Sequence, residues 1–140
     1  MKRLDNKVSI ITGAAQGIGL ATALKFAAEG AIVVICDIKQ AAVEAAVQQC
    51  QALGATAVGF EMDVTKCERV DEVVAAVKQQ FGRIDVLVNN AGITQDARLQ
   101  KMTLEQFDKV IDVNLRGVFH ASQAVLPAMV EQGSGVILNA

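Results

Sequence analysis

The chain has 140 residues, 52% of them hydrophobic and 20% charged, with a formal net charge of -2 and one proline. That composition supports a folded core and excludes disorder, and a pI near 5.3 excludes the clustered basic footprint of a nucleic-acid binder. The longest strongly apolar run, Ala31 to Cys36, falls far short of the roughly 20 residues of a membrane span, so no membrane partner is expected.

In chain order, short runs rich in Val and Ile alternate with longer segments of helical period. Lys7 to Thr12 is the first predicted strand, and its nearly continuous apolar character marks a strand buried on both faces. TGAAQGIG, residues 12 to 19, follows it and opens a helix that Gly30 closes. Ala31 to Asp37 is the second strand. The next helix carries Val43, Ala46, Val47, Cys50 and Leu53 on one face and ends at Gly54. Thr56 to Asp63 is the third strand. Thr65 and Glu68 then match a capping box, so a helix should begin there, with Val70, Val73, Val74, Val77 and Phe81 as its stripe and Gly82 as its end. Ile84 to Asn89 is the fourth strand and runs into NNAG. Thr103 and Gln106 match a second capping box ahead of the stripe Leu104, Phe107, Ile111, Leu115 and Val118. Pro127 lies inside this last helix and should kink or break it before Gly133. Gly135 to Asn139 is the fifth strand.

The alternation predicts an α/β fold, a Rossmann-type parallel sheet in the order 3-2-1-4-5 with helices on both faces. Helices one and two would cover one face over strands 3, 2 and 1, and helices three and four the other. One face of strands 4 and 5 is then left uncovered, with strand 5 an open edge. The order reverses between strands 1 and 4, so a ligand crevice is expected at their carboxyl ends, where TGAAQGIG and NNAG both lie.

A helix starting near Gly17 offers unpaired N–H groups and the positive end of its dipole, and both favour an anion. Gly13 would make the sharp turn out of the strand, Gly17 would admit a diphosphate, and Gly19 would let helix and strand pack. The spacing is G-x-x-x-G-x-G rather than G-x-G-x-x-G, and a tight turn with packing glycines is the alternative. Asp37 ends the second strand, where its carboxylate suits the hydroxyls of an adenosine ribose, with Ile38 beside it and Gln16 and Ile18 in the loop. Its charge would repel a 2′-phosphate and so selects NAD over NADP; a turn or N-cap role is the alternative. Asp63 would meet the adenine amino group while Val64 packs on the ring, or Asp63 could simply assist the start of the following helix. Asn114 sits on the last apolar stripe, where an amide needs hydrogen-bond partners or costs about 1–3 kcal/mol. His120 is the only histidine, reads as a helix-packing residue, and leaves no metal site predicted. Cys36, Cys50 and Cys67 have no C-x-x-C spacing and read as core residues in a reducing compartment. MKRLDN lacks an apolar stretch behind it, so a soluble cytoplasmic protein is expected.

With T-G-x-x-x-G-x-G at 12 to 19, Asp37, Asp63-Val64, Asn89-Asn90-Ala91-Gly92 and Asn114 in order, the whole chain resembles the short-chain dehydrogenase/reductases. Within them it is similar to the 3-oxoacyl-[acyl-carrier-protein] reductase-like subgroup. The resemblance implies an NAD-dependent oxidoreductase that moves hydride between nicotinamide and a carbonyl or secondary alcohol, with a small carbonyl or acyl substrate. It implies that Asn89, Asn90, Ala91 and Gly92 stabilise the central sheet and line the nicotinamide side of the crevice, with Thr12 beneath. Asn114 would be the catalytic Asn that holds a water in a proton relay. The last helix would serve as the surface of a homo-oligomer.

The Ser and Tyr-x-x-x-Lys residues of the family would follow the fifth strand, and the sequence contains no tyrosine. Residues 1 to 140 are therefore expected to form an incomplete NAD-binding Rossmann domain, without the carboxyl-terminal part of the fold, that does not catalyse the reaction by itself. Two other readings stay open: a non-catalytic dinucleotide-binding module, and an interaction subunit built on the last helix. A generic NAD-linked alcohol dehydrogenase is the alternative to the 3-oxoacyl reductase.

Overall fold

The computed structural model describes residues 1 to 140. Strand β1 (Val8–Thr12) lies at the centre of the sheet with every residue buried. β2 (Ile32–Asp37) and β4 (Val86–Asn89) pair with it in parallel, and Ile10 stands opposite both Val34 and Leu87. β3 (Ala57–Glu61) adds outside β2, and β5 (Val136–Asn139) outside β4. The order β3-β2-β1-β4-β5 is the one read from the sequence.

Alternate side chains feed two cores. Val8, Ile10, Val34, Cys36 and Leu87 pack with residues of α3 (Cys67–Phe81) and α5 (Gly117–Gln132). Ile11, Val33, Ile35, Val86 and Val88 pack with α1 (Gly17–Ala28) and α2 (Gln40–Ala52). Cover on both faces is why these strands read as unbroken apolar runs. A fully buried Val or Ile contributes roughly 1.5–3 kcal/mol, so the sheet centre anchors the fold. The uncovered face expected over strands 4 and 5 is confined to β5: Val86 and Val88 of β4 are buried in the core with α1 and α2, and Ile137 joins the core over α3 and α5, whereas Val136 and Leu138 remain 51% and 47% exposed. No helix is long and apolar enough to cross a membrane.

Several local expectations change. The capping box at Thr65 does not form, because Asp63 Oδ1 accepts both the Thr65 N–H at 2.9 Å and its hydroxyl at 2.7 Å. α3 starts later, at Cys67. The box at Thr103 does form, with Thr103 Oγ1 accepting the Gln106 N–H and Gln106 Oε1 accepting the Thr103 N–H. It opens α4 (Leu104–Ile111), which passes through a π-helical turn over Asp112–Arg116 directly into α5. Pro127 does not break α5, which runs on to Gln132 and closes at Gly133 with φ +68°. The stripe on α4 does not turn inward: Leu104, Phe107 and Leu115 are 79%, 51% and 61% exposed. The sheet face it would need is already filled by α3 and by Ala121, Val125, Ala128 and Met129 of α5. Cys36 and Cys50 are buried as expected, but Cys67, the first residue of α3, is exposed.

Candidate functional site

A crevice of about 630 Å³ opens at the carboxyl ends of the strands. Gly13, Gln16, Gly17 and Ile18 of the loop after β1 form one wall, and Asp37 and Ile38 after β2 continue it. Asp63 and Val64 follow from β3, and Asn90, Ala91 and Gly92 from β4. The structure thus brings both sequence motifs and both aspartates to one cleft.

Thr12 lies beneath it. Its hydroxyl oxygen accepts the N–H of Asn90 at 3.0 Å and of Ala91 at 2.9 Å. The Asn90 amide nitrogen donates back to the carbonyls of Thr12 at 3.2 Å and Gly13 at 3.1 Å. The two loops are therefore stitched to each other and cannot shift separately. Gly13 and Gly19 make that contact possible. A Cβ on Gly13 would stand 2.9 Å from Ala91 Cα, and one on Gly19 would collide with the Gly13 carbonyl oxygen. Gly17 shares the positive φ of Gly13 (+59° and +62°), a conformation disfavoured for other residues, but a Cβ there would meet nothing within 4 Å.

Asp37 shapes the loop from the side. Its Oδ2 accepts the Ala15 N–H at 2.9 Å, and its Oδ1 accepts its own neighbour's N–H, that of Ile38, at 2.8 Å. An ionised carboxylate offers about four acceptor directions, so both oxygens retain capacity toward the cleft. Asp63 spends Oδ1 on the N–H and hydroxyl of Thr65, ahead of α3, which starts at Cys67 without a side-chain cap. Val64 is buried against Gly117, where an added Cβ would clash with its side chain. His120 donates from Nδ1 to the Val64 carbonyl at 3.0 Å, the packing role expected of it. No grouping of His, Cys, Asp and Glu suits a metal.

Thr12, Gly19, Asn89 and Asn114 do not line the crevice. Asn89 is buried, and its Nδ2 donates to Ser122 Oγ at 3.1 Å and Asn139 Oδ1 at 2.9 Å, joining β4 to α5 and β5. Asn114 stands exposed in the middle of the π-helical turn, a helix irregularity that recurs at functional sites. Both polar atoms of its amide find a partner in one residue. Oδ1 accepts the Ile93 N–H and Nδ2 donates to the Ile93 carbonyl, each at 2.9 Å.

Met62, Ile93, Lys109, Asp112 and Val113, which no motif marks, also line the crevice, as does Thr65, expected only as a helix cap. Lys109, Asp112 and Val113 share the i, i+3, i+4 spacing of one helix face, a detectable signal, but only docking of α4 shows what that face meets. The pair Arg83 and Asp85 was equally unforeseen. At the opposite end of the sheet, Asp85 Oδ2 accepts the Val8 N–H at 2.9 Å and an Arg83 Nε–H at 2.8 Å. Burial alone would raise the Asp85 carboxyl, but Arg83, the Val8 N–H and Lys7 outweigh it and hold it below its ordinary value.

A family model described as short chain dehydrogenase matches residues 7–140. The 3-oxoacyl-[acyl-carrier-protein] reductase FabG of Thermotoga maritima is 49% identical over 137 residues, covering 98% of this chain and 56% of that protein. Galactitol 2-dehydrogenase of Agrobacterium fabrum is 44% identical over 133 residues, covering 95% of this chain and 51% of that one. The crystal structure of NAD+-bound xylitol dehydrogenase superposes with a TM-score of 0.95 at 38% identity, covering 99% of this chain and 54% of its own. The chain spans about half the length of the curated relatives it matches. From the family match, these identities and the parallel sheet with its stitched glycine loop, the chain belongs to the short chain dehydrogenase family of oxidoreductases.

Proposed function

We propose that residues 1 to 140 are the dinucleotide-binding unit of an NAD-dependent oxidoreductase acting on a carbonyl or secondary alcohol, with 3-oxoacyl thioesters as the substrate class suggested by its relatives. The observation that carries the reading is the cradle at Gly17. A side chain there would fill the crevice at the amino end of α1, where backbone N–H groups and the helix dipole favour a diphosphate. Asp37, already oriented by the Ala15 N–H, accepts the ribose hydroxyls, and its charge disfavours a 2′-phosphate. Asp63 accepts from the adenine amino group through its remaining oxygen, and Val64 offers the ring an apolar surface. Asn90, Ala91 and Gly92, locked to Thr12, border the nicotinamide end. NAD, when bound, supplies the hydride acceptor. Asn114 holds Ile93 at the edge of that end and serves there as a positioning residue, with the family's water-holding role resting on it in the whole protein.

None of the 140 residues is a tyrosine, so this stretch carries no Tyr-x-x-x-Lys acid–base pair and is proposed to bind without turnover. The exposed apolar residues Leu104 and Phe107 of α4, Leu115 of the π-helical turn, and Phe119 and Val130 of α5 form the proposed self-association face of a homo-oligomer. Light scattering of Phe119→Glu should report a smaller species than the parent.

Fluorescence titration with NADH and NADPH tests the central reading. NADH should bind with enhanced nicotinamide emission and NADPH much more weakly. Asp37→Asn removes the charge but keeps an acceptor for the loop, and should narrow that difference about tenfold. An unchanged ratio would remove the case for NAD, and no binding of either would remove the dinucleotide reading itself.

A further inference from the structure

Gln132, the last residue of α5, repeats at the far end of the helix what Asn114 does at the crevice. Its Oε1 accepts the Ile84 N–H at 2.9 Å, and its Nε2 donates to the Ile84 carbonyl at 2.8 Å. Ile84 is fully buried and lies just ahead of β4, where neither of its backbone polar groups joins the ladder. The Gln132 amide therefore supplies the pairing that a neighbouring strand would have given. One helical unit thus grips the segment from Ile84 to Ile93 at both ends, each time through both backbone polar groups of an isoleucine. The lengths agree. The helix from Asn114 to Gln132 rises about 27 Å at 1.5 Å per residue, and the chain from Ile84 to Ile93 reaches at most about 30 Å when extended.

Apolar packing is non-directional and resists sliding along a helix axis poorly, above all where the buried face carries Ala121, Ala128 and the pliable Met129. Hydrogen bonds fix the position more sharply, because a slip of one residue, about 1.5 Å, stretches them beyond their working range. The bonds of Ser122 with Asn89 and of His120 with Val64 lie in the first half of α5, so Gln132 provides the bonds that tie its far end to the chain entering β4. From this two-ended grip we infer that Gln132 is a positioning residue for the crevice. It holds α5, and with it the π-helical turn, at the register where Asn114 meets Ile93 in the crevice wall. The inference rests on the dinucleotide reading above. Ile93 follows Gly92 at the nicotinamide end, so a misplaced helix loosens that end of the ligand and leaves the cradle at Gly17 as it is.

The test uses the 140-residue chain as parent, Gln132→Ala, Gln132→Glu, Asn114→Ala and the Gln132→Ala/Asn114→Ala double variant. NADH binding is read by fluorescence, binding of ADP, which lacks the nicotinamide, by calorimetry, and amide hydrogen exchange at Ile84, Ile93 and the β1 strand by NMR. Gln132→Ala should speed exchange about fivefold at Ile84 and also at Ile93, with β1 much less affected, and should weaken NADH about threefold while ADP binds as in the parent. Gln132→Glu keeps the acceptor for the Ile84 N–H, so it should show the same pattern at smaller size, and it carries the test if Gln132→Ala does not fold. In the Asn114→Ala background, Gln132→Ala should cost NADH little more, because its effect passes through Asn114. Faster exchange at Ile84 alone, equal losses for NADH and ADP, or additive losses in the double variant would overturn the positioning role and leave a local structural tie. Failure of the parent to bind either ligand would overturn the dinucleotide reading, and the Ile93 exchange rate would still decide whether Gln132 sets that wall.

Discussion

Asn114 grips Ile93 by both of its backbone polar groups, with two 2.9 Å hydrogen bonds linking residues far apart in sequence. The grip fastens the segment leaving Gly92 to the π-helical turn, so the far wall of the crevice is held by the last helix rather than by the sheet. Asn114→Ala removes both bonds and should destabilise the fold by about 1–2 kcal/mol, since part of the loss is returned by water at this exposed position. Urea denaturation measures the change. Hydrogen exchange of the Ile93 amide should accelerate selectively, and an unaltered Ile93 rate would show that the clamp is not what orders this wall.

Gly17 and Gly19 separate stability from binding. Gly19→Ala would drive a Cβ into the Gly13 carbonyl and toward Asn90 Nδ2, so the stitched loops must part, at about 1–3 kcal/mol or more. Gly17→Ala meets no neighbour and carries mainly the strain of its φ of +59°, about 1–2 kcal/mol. Its methyl group, however, occupies the cradle. Calorimetry should therefore find the larger melting-temperature drop in Gly19→Ala. In Gly17→Ala, NADH affinity should fall by more than its stability loss explains.

Asp85 should contribute to the acid limb of stability, beside Glu29, whose carboxyl the Arg3 N–H and Lys25 hold down to about 2. The Asp85 carboxyl is only 6% exposed and its value in the fold lies below the ordinary one, so it binds a proton less readily folded than unfolded. The stabilisation is complete above the unfolded value of about 3.9 and disappears as pH falls through the lower folded value. At neutral pH, Asp85→Ala should cost about 2–3 kcal/mol, because the Val8 N–H loses its acceptor and Arg83 its partner. Urea midpoints of parent and variant measured at decreasing pH should converge in the acid range. A constant gap would locate the acid sensitivity elsewhere.

The thiols offer a simple check of packing. Burial pushes Cys36 up to about 12 and raises Cys50 as well, which keeps both neutral and shielded. Cys67 is exposed. A colourimetric thiol reagent at neutral pH should label Cys67 rapidly and the other two only after unfolding, and fast labelling of Cys36 would mean that β2 is not buried as described.

The fold and the crevice differ in how much of each the amino-acid order reveals. Strand placement was readable because Val8 to Thr12 and Ile32 to Cys36 are apolar on both faces, and the βα alternation admits few windings. The wall residues Gly13, Gly17, Asp37 and Asp63 were readable because they lie at or just past the carboxyl ends of strands, where position in sequence already implies position at the cleft. Thr65 misled because Asp63 offered its hydroxyl and N–H a nearer acceptor than the capping geometry could. The stripe on α4 misled in the other direction, since periodicity identifies an apolar face but not whether the sheet has room for it.

What the amino-acid order determined by itself was local and periodic: which segments extend, which coil, where glycine is required and where the switch point falls. Those properties depend on residues a few positions apart. The tertiary structure alone decided the long-range pairings. These are Asn114 on Ile93, Thr12 under Asn90, and Asp85 on the amide of Val8. Such contacts join groups that chain spacing leaves unrelated, and they exist only once the sheet has fixed the distance between its strands and the helices packed across them.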